Sequence, residues 1–268
     1  MSAYPSADPE TLDTVRVEVE DRVATITIDR REKRNSLTEE VKDDLRGALG
    51  HVLHETDARA VVLTGAGDKS FVSGANIDDF EGRTPQDQRD VLAVPAIYED
   101  VERFPLPVIA AINGFALGGG CEMALACDVR VACESARLGQ PEINLGIIPG
   151  GGGTQRLRRL IGEGLTMDLV LTGRLVDAET AREYGMVDHV VPDDELYGKA
   201  EELAGMMAEK SPVALRYAKE AVLASSRQFL EEGRRTEVDL CSMCFSTEDQ
   251  TEGVRAFLEK RDPVFEGR

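Results

Sequence analysis

Valines at 15, 17 and 19 alternate with polar residues, and the alternation resumes at Val23, Thr25 and Ile28 beyond Asp21-Arg22. Period-two runs split by a short polar turn predict a β-hairpin. The period then changes. Val41, Leu45, Leu49, Val52 and Leu53 form the apolar stripe of a helix, with Ser36-x-x-Glu39 resembling a capping box at its start. Ala60 to Thr64 reads as a short buried strand ended by Gly65-Ala66-Gly67-Asp68. A loop is expected from Phe71 to Ile77, then a helix through Val91, Ile97 and Val101, broken at Leu106-Pro107. Val108 to Ile112 is a second buried strand, Glu122 to Ala126 a short helix, and Val129 to Ala132 a third strand. Strand, loop, helix and strand at such short intervals predict stacked ββα units, not a doubly wound sheet. After Thr154 helical patterns dominate: Leu165–Leu171, Ala178–Tyr184, Glu195–Ala208, Pro212–Ser225 and Phe229–Phe245. The expected organisation is a disordered lead-in over 1–13, an α/β core over 14–200, and a helical region over 201–268. The last is too small for a large core of its own, so it should pack on the core or on another subunit.

The 268 residues are 42% hydrophobic, enough for a packed core, yet no run approaches the ~20 continuous apolar residues of a membrane span. The polar N-terminus lacks the charged-then-apolar pattern of a signal peptide, so a cytoplasmic location is expected. A net charge of −19 repels nucleic-acid phosphates and anionic membranes, which argues against both as partners. Only seven of the 31 basic residues are lysine. Such a surface suits a salt-rich cytoplasm, or equally reflects codon bias in an ordinary acidic enzyme. Cys121, Cys127 and Cys133 lie in apolar sequence and read as buried thiols. Cys241 and Cys244 have CxxC spacing but no second ligand pair at zinc-site spacing, so they read as a stripe of a core helix. His51 and His54 share a helix face and His189 stands alone, so no metal is expected.

Two carboxylates sit in glycine-rich frames. Glu122 follows Gly118-Gly119-Gly120-Cys121; Glu142 follows Gly139-Gln140-Pro141 and precedes Ile148-Pro149-Gly150-Gly151. Glycines between a strand and a helix let a ligand approach the backbone closely. The first N–H groups of a helix lack intrahelical acceptors and would stabilise a carbonyl oxygen gaining charge; the same glycines would equally serve a tight turn. The small-residue loop Ser73-Gly74-Ala75-Asn76-Ile77 could supply a second donor or merely connect elements. Glu122 in a first turn is also a favourable dipole partner. Glu142, in apolar sequence, is either a desolvated proton-transfer group or half of a buried ion pair with Arg137 or Arg156. Neither glycine cluster fits GxGxxG, since Met123 and Gln155 occupy the third glycine position, and no GxxxxGK[ST] occurs. The basic cluster Arg30 to Arg34 is either an exposed anion-binding loop or a solvated charge run.

Over nearly its whole length the chain resembles the enoyl-CoA hydratase/isomerase (crotonase) family. The stretches that carry the likeness are DRREKRNSL (29–37), SFVSGANIDDF (70–80), PVIAAINGFALGGGCEMALACDVRVA (107–132), LGQPEINLGIIPGGGGTQRLRRLIG (138–162) and VLTGRLVDAETAREYGMVDHVV (170–191). The resemblance implies a crotonase-type ββα spiral core with a helical C-terminal region that assembles homotrimers or homohexamers. It implies an acyl-CoA thioester substrate and no cofactor beyond the coenzyme A that the substrate carries. The thioester oxygen would lie between the N–H groups of Ala75 and Gly119, with Glu122 activating water and Glu142 delivering a proton to C2. Gly150 would help hold the water, and Asn76, Ile77, Asp78, Gly118 and Pro149 belong to the same substrate-binding motifs. Lys33 and Arg34 match the segment that meets coenzyme A, and Lys260 with Arg261 would reach its phosphates from a neighbouring subunit.

Two positions depart from the family pattern: Asn76 stands where Asp is common and Arg31 where Pro is common. Two glutamates favour a hydratase of trans-2-enoyl-CoA, as in β-oxidation, over a double-bond isomerase or another enolate-forming enzyme of the same scaffold. RNA binding and a non-catalytic assembly subunit are the readings from other classes. Acyl chain length should depend on residues 80–97.

Overall fold

A computed structural model of the chain describes residues 4–92 and 96–268. The predicted hairpin is present as β1 (Val15–Glu20) and β2 (Val23–Ile28). Asp21 and Arg22 both take positive φ, the turn whose twist matches that of the paired strands. Helix α1 (Glu39–Glu55) follows, capped by Thr38 and not Ser36: the Thr38 hydroxyl accepts from the Val41 N–H at 3.3 Å. Ser36 is instead buried in the preceding turn.

The chain then climbs in repeated steps. Strand β3 (Ala60–Gly65) leads to β4 (Ser70–Val72), followed by α2 (Pro85–Val91) and α3 (Ile97–Glu102). Strand β5 (Val108–Ile112) leads to β6 (Phe115–Leu117) and α4 (Gly119–Ala126). Strand β7 (Val129–Cys133) leads to β8 (Arg137–Gly139) and α5 (Gly153–Thr172). Strand β9 (Val176–Asp177), α6 (Ala178–Tyr184) and β10 (His189–Val191) complete the core. Among the described residues one sheet has the order β1-β2-β3-β5-β7-β10 and a second β4-β6-β8-β9. The first strand of each step thus extends one sheet in parallel and the second extends the other, which is the expected ββα spiral. Every residue of β3 and β5 is buried, as continuous apolar runs in parallel strands require.

Four more helices follow: α7 (Leu196–Ala208), α8 (Pro212–Ala224), α9 (Leu230–Cys244) and α10 (Glu248–Glu259). Helix α7 runs through position 200 and buries Leu196, Ala200, Ala204 and Ala208 against the large sheet. Helix α9 buries nothing. Cys241 is accordingly exposed, not part of a core stripe, whereas Cys121, Cys127 and Cys133 are buried thiols as expected.

The lead-in departs from expectation. Residues 1–3 lie outside the described residues, but from Tyr4 onward the segment packs on the core. Tyr4 is buried edge-on against Phe104, its hydroxyl donates to the Asp100 carbonyl at 3.0 Å, and the Ala7 N–H donates to the Gly47 carbonyl. One aromatic ring supplies enough apolar area to anchor this mostly exposed segment.

Candidate active site

The site forms where α4 meets the β4 loop. Gly120 makes this possible. A methyl group there would lie 1.8 Å from the Val72 carbonyl oxygen, so only glycine lets the helix start approach the strand so closely. Gly118 and Gly74 take positive φ on either side of the junction. The β4 loop is clamped to the segment before α1: Leu37 N–H donates to Gly74 O at 2.8 Å, and Asn76 N–H to Leu37 O at 3.3 Å. Ala75, between these two bonds, and Gly119, in the first turn of α4, find no acceptor for their N–H groups among the described residues. The two groups lie close together, for a methyl group on Gly119 would lie 3.6 Å from the Ala75 nitrogen.

Glu122, one turn into α4, is almost fully buried. Its Oε1 accepts from Gly151 N–H at 2.7 Å and Gly153 N–H at 2.8 Å. Gly153 opens α5, so the carboxylate rests on the positive end of a second helix. Burial pushes its carboxyl above the ordinary range, while these two donors and the Arg156 guanidinium pull it back down. Glu142 lies half-buried on a 3-10 turn, Pro141–Leu145, across from Gly118, where a methyl group would sit 2.8 Å from its Oε1. With its amide nitrogen turned toward Glu142, Gln140 donates to that oxygen at 3.0 Å. Burial is the main reason that the Glu142 carboxyl rises to about 7, and the nearby Glu122 adds to the shift.

Both glutamates open onto one cavity of about 300 Å³. Ala75, Gly118, Gly119, Asn76, Ile77 and Gly150 line it as well. Asp78, Pro149, Lys33, Arg34 and Lys260 do not. Lys33 pairs with Asp78 at 3.9 Å outside it, Arg34 is exposed in a left-handed turn, Pro149 is buried, and Lys260 ends α10. Neither unusual residue disturbs the glutamates: Asn76 donates to Asp79 at 2.9 Å, and Arg31 to Asp29 at 3.1 Å.

The ion pair weighed for Glu142 is not formed. Arg137 donates to the carbonyls of Ser135 and Ala136, and Arg156 is engaged elsewhere. Nearly buried, Arg156 bonds Glu102 at 3.0 Å, Glu99 at 3.4 Å and the Gly151 carbonyl at 2.8 Å. It thereby braces the loop whose N–H groups hold Glu122. Arg156→Ala should lower stability by about 2 kcal/mol, because it leaves half-buried Glu99 without its cation and Glu102 with Arg227 alone, at 2.8 Å. Urea unfolding checks this; a loss under about 1 kcal/mol would show that the network contributes little.

Sequence reasoning missed Arg156 in this role, and also missed Gln140 and Tyr98. Tyr98 lies on α3 with its ring buried at the cavity wall. Its stretch reads as an ordinary apolar helix stripe, so nothing local marks it. Among the described residues no group of three or more His, Cys, Asp or Glu is arranged to hold a metal.

The family model for enoyl-CoA hydratase/isomerase matches residues 18–268. The chain belongs to the enoyl-CoA hydratase/isomerase family. A short-chain-enoyl-CoA hydratase of Clostridium acetobutylicum is 40% identical over 251 residues, covering 93% of this chain and 96% of that protein. A crotonyl-CoA hydratase of Syntrophomonas wolfei is 38% identical, covering 94% and 98%. The crystal structure of an enoyl-CoA hydratase from Bacillus anthracis superposes with a TM-score of 0.91 at 42% identity, covering 96% of this chain and all of that one. This family member therefore has the crotonase fold, and its acyl-CoA chemistry is to be sought in the cavity just described.

Proposed function

We propose that the chain is an enoyl-CoA hydratase that adds water across the double bond of a short trans-2-enoyl-CoA to give the 3-hydroxyacyl-CoA. The observation that carries the reading is the meeting of Glu122, Glu142 and two unengaged backbone N–H groups in one cavity. The thioester oxygen lies between Ala75 N–H and Gly119 N–H, which draw electron density away from C3. Glu122 keeps Oε2 free, because Oε1 holds both loop donors, and takes a proton from water as its oxygen bonds to C3. Glu142 gives its proton to C2 as the enolate collapses. One proton then returns from Glu122 to Glu142, and the net change is the addition of water. Gly150 lies at the wall where that water waits. No cofactor takes part; coenzyme A is carried by the substrate.

Lys33 and Arg34 at the exposed edge, and Lys260 across a subunit boundary, fit the coenzyme A phosphates by charge. Assembly as a trimer or hexamer would cover exposed apolar residues of the C-terminal helices, among them Phe229, Leu230, Phe245, Phe257 and Leu258. Among the described residues no helix is long and apolar enough to cross a membrane. The described cysteines are all free thiols, which fits the cytoplasm.

The test is loss of the conjugated thioester's ultraviolet absorbance on adding crotonyl-CoA, followed across pH. A carboxyl raised to about 7 stays protonated below that pH, and the mechanism uses the protonated form. Turnover should therefore fall about tenfold per pH unit above pH 7, and fall again in acid as Glu122 is protonated. A rate flat from pH 6 to 9 would remove Glu142 as proton donor. No absorbance loss at any pH would shift the reading toward an isomerase or a different acyl group.

A further inference from the structure

We propose that the Tyr98 hydroxyl is a third polar contact for the oxygen that joins C3, holding it between Glu122 and Glu142. The inference rests on the hydratase reading above and adds a residue to it. Tyr98 is buried, yet its hydroxyl meets the cavity and bonds to none of the described residues. A buried phenol normally finds a partner, so a hydroxyl left open at a substrate cavity points to a partner that arrives with the substrate.

Its position says which part of the substrate. A methyl group on Gly119 would lie 2.8 Å from Tyr98 Oη. One on Gly151 would lie 2.2 Å from Tyr98 Cε2 and 2.5 Å from Glu122 Oε2. The ring therefore fills the gap that these two glycines leave, with its hydroxyl on the Gly119 side and its edge beside the unengaged oxygen of Glu122. Burial and the charges of Glu122 and Glu142 all raise the phenol, so it stays protonated throughout the working range. The oxygen added to C3 has one hydrogen aimed at Glu122 and lone pairs with no donor assigned to them. A phenol beside Glu122 supplies that donor, first to the water and then to the 3-hydroxyl of the product. The thioester oxygen is already served by two N–H groups and does not require it.

The experiment compares two ligands that differ only at C3. Binding of 3-hydroxybutyryl-CoA and of butyryl-CoA is measured by calorimetry on the wild type and on Tyr98→Phe, which keeps the ring. The wild type's turnover of crotonyl-CoA is measured on the same preparation. The expected result is that Tyr98→Phe weakens 3-hydroxybutyryl-CoA about fivefold more than butyryl-CoA, the scale of one neutral buried hydrogen bond. Undiminished butyryl-CoA binding shows that the variant is folded. A ratio within twofold of the wild type's, with an active wild type, overturns the assignment of Tyr98 alone. An inert wild type overturns the hydratase reading and this inference with it.

Discussion

Replacing Glu142 by glutamine should lower hydration of crotonyl-CoA by about 10³-fold while leaving the fold and thioester binding nearly unchanged. The size follows from what the side chain is asked to do. An amide of the same shape has no proton to give at any pH near neutrality, so the enolate must collect its proton from bulk water. The fold should survive because Glu142 is half-buried on a short turn and forms no ion pair among the described residues. The amide oxygen can still accept from Gln140. The substitution also removes a carboxylate whose ionised form is disfavoured by burial and by the nearby Glu122, so a small gain in stability above pH 7 is the expected sign. Crotonyl-CoA turnover, butyryl-CoA affinity and thermal melting decide the matter together. Turnover within tenfold of the wild type, with normal melting, would transfer the proton-donor role elsewhere. A collapse in affinity and melting would instead make Glu142 a structural residue. The pH profile supplies an independent check, since removing the group must also remove the fall above pH 7.

The two glutamates differ in kind: Glu122 is buried and Glu142 half-buried. Glu122 has two backbone donors and a helix end at one oxygen, a setting that favours the ionised form. Glu142 has a single side-chain amide and much apolar surface, a setting that favours the neutral acid. Environment alone therefore sets the two carboxyls apart, as the proposed roles of base and acid require. That separation depends on Arg156, which is removed from both reacting centres and acts by holding the Gly151 loop in place.

Much of this was legible in the chain itself. The long parallel strands β3 and β5 announce themselves as unbroken apolar runs, and the hairpin as an alternation around a polar turn. The three-residue strands β4, β6 and β8 carry no readable period, and most of β4 falls in the stretch that reads as loop. Yet β4 leads straight into the loop that carries Ala75 to the cavity wall. Both glutamates and the glycines that frame them, Gly118 to Gly120 and Gly150-Gly151, stand out through composition and spacing. What stayed hidden depends on contacts between distant segments. The Gly151 and Gly153 donors are 29 and 31 residues from Glu122, and Arg156 meets Glu99 and Glu102 across more than 50. Tyr98 is invisible for a further reason, since one hydroxyl on an apolar helix face leaves the stripe unchanged. The lead-in reads as disordered because its composition gives no sign of how well one ring, Tyr4, is placed.

Gly119→Pro should cost about 10²- to 10³-fold in turnover, the effect of losing one oxyanion donor. Proline is chosen because position 119 is the first residue of α4, where a ring in place of the N–H suits the helix. Gly118 before it has no Cβ to clash with the ring. Any side chain at 119 meets the Tyr98 hydroxyl at 2.8 Å, so the proline variant alone would confuse a steric cost with a lost donor. Gly119→Ala separates them, since it brings the same Cβ but keeps the N–H. The alanine variant should lose activity in proportion to how far Tyr98 must move, and Tyr98→Phe in the same chain should restore part of it. The proline variant should stay at least 100-fold slower than the alanine variant, with or without Tyr98→Phe. Equal turnover of the proline and alanine variants, both folded by melting and both binding butyryl-CoA, would mean that Gly119 is required only for space. The thioester oxygen would then have to rest on Ala75 and some other donor, and the polarisation of C3 would need a different source.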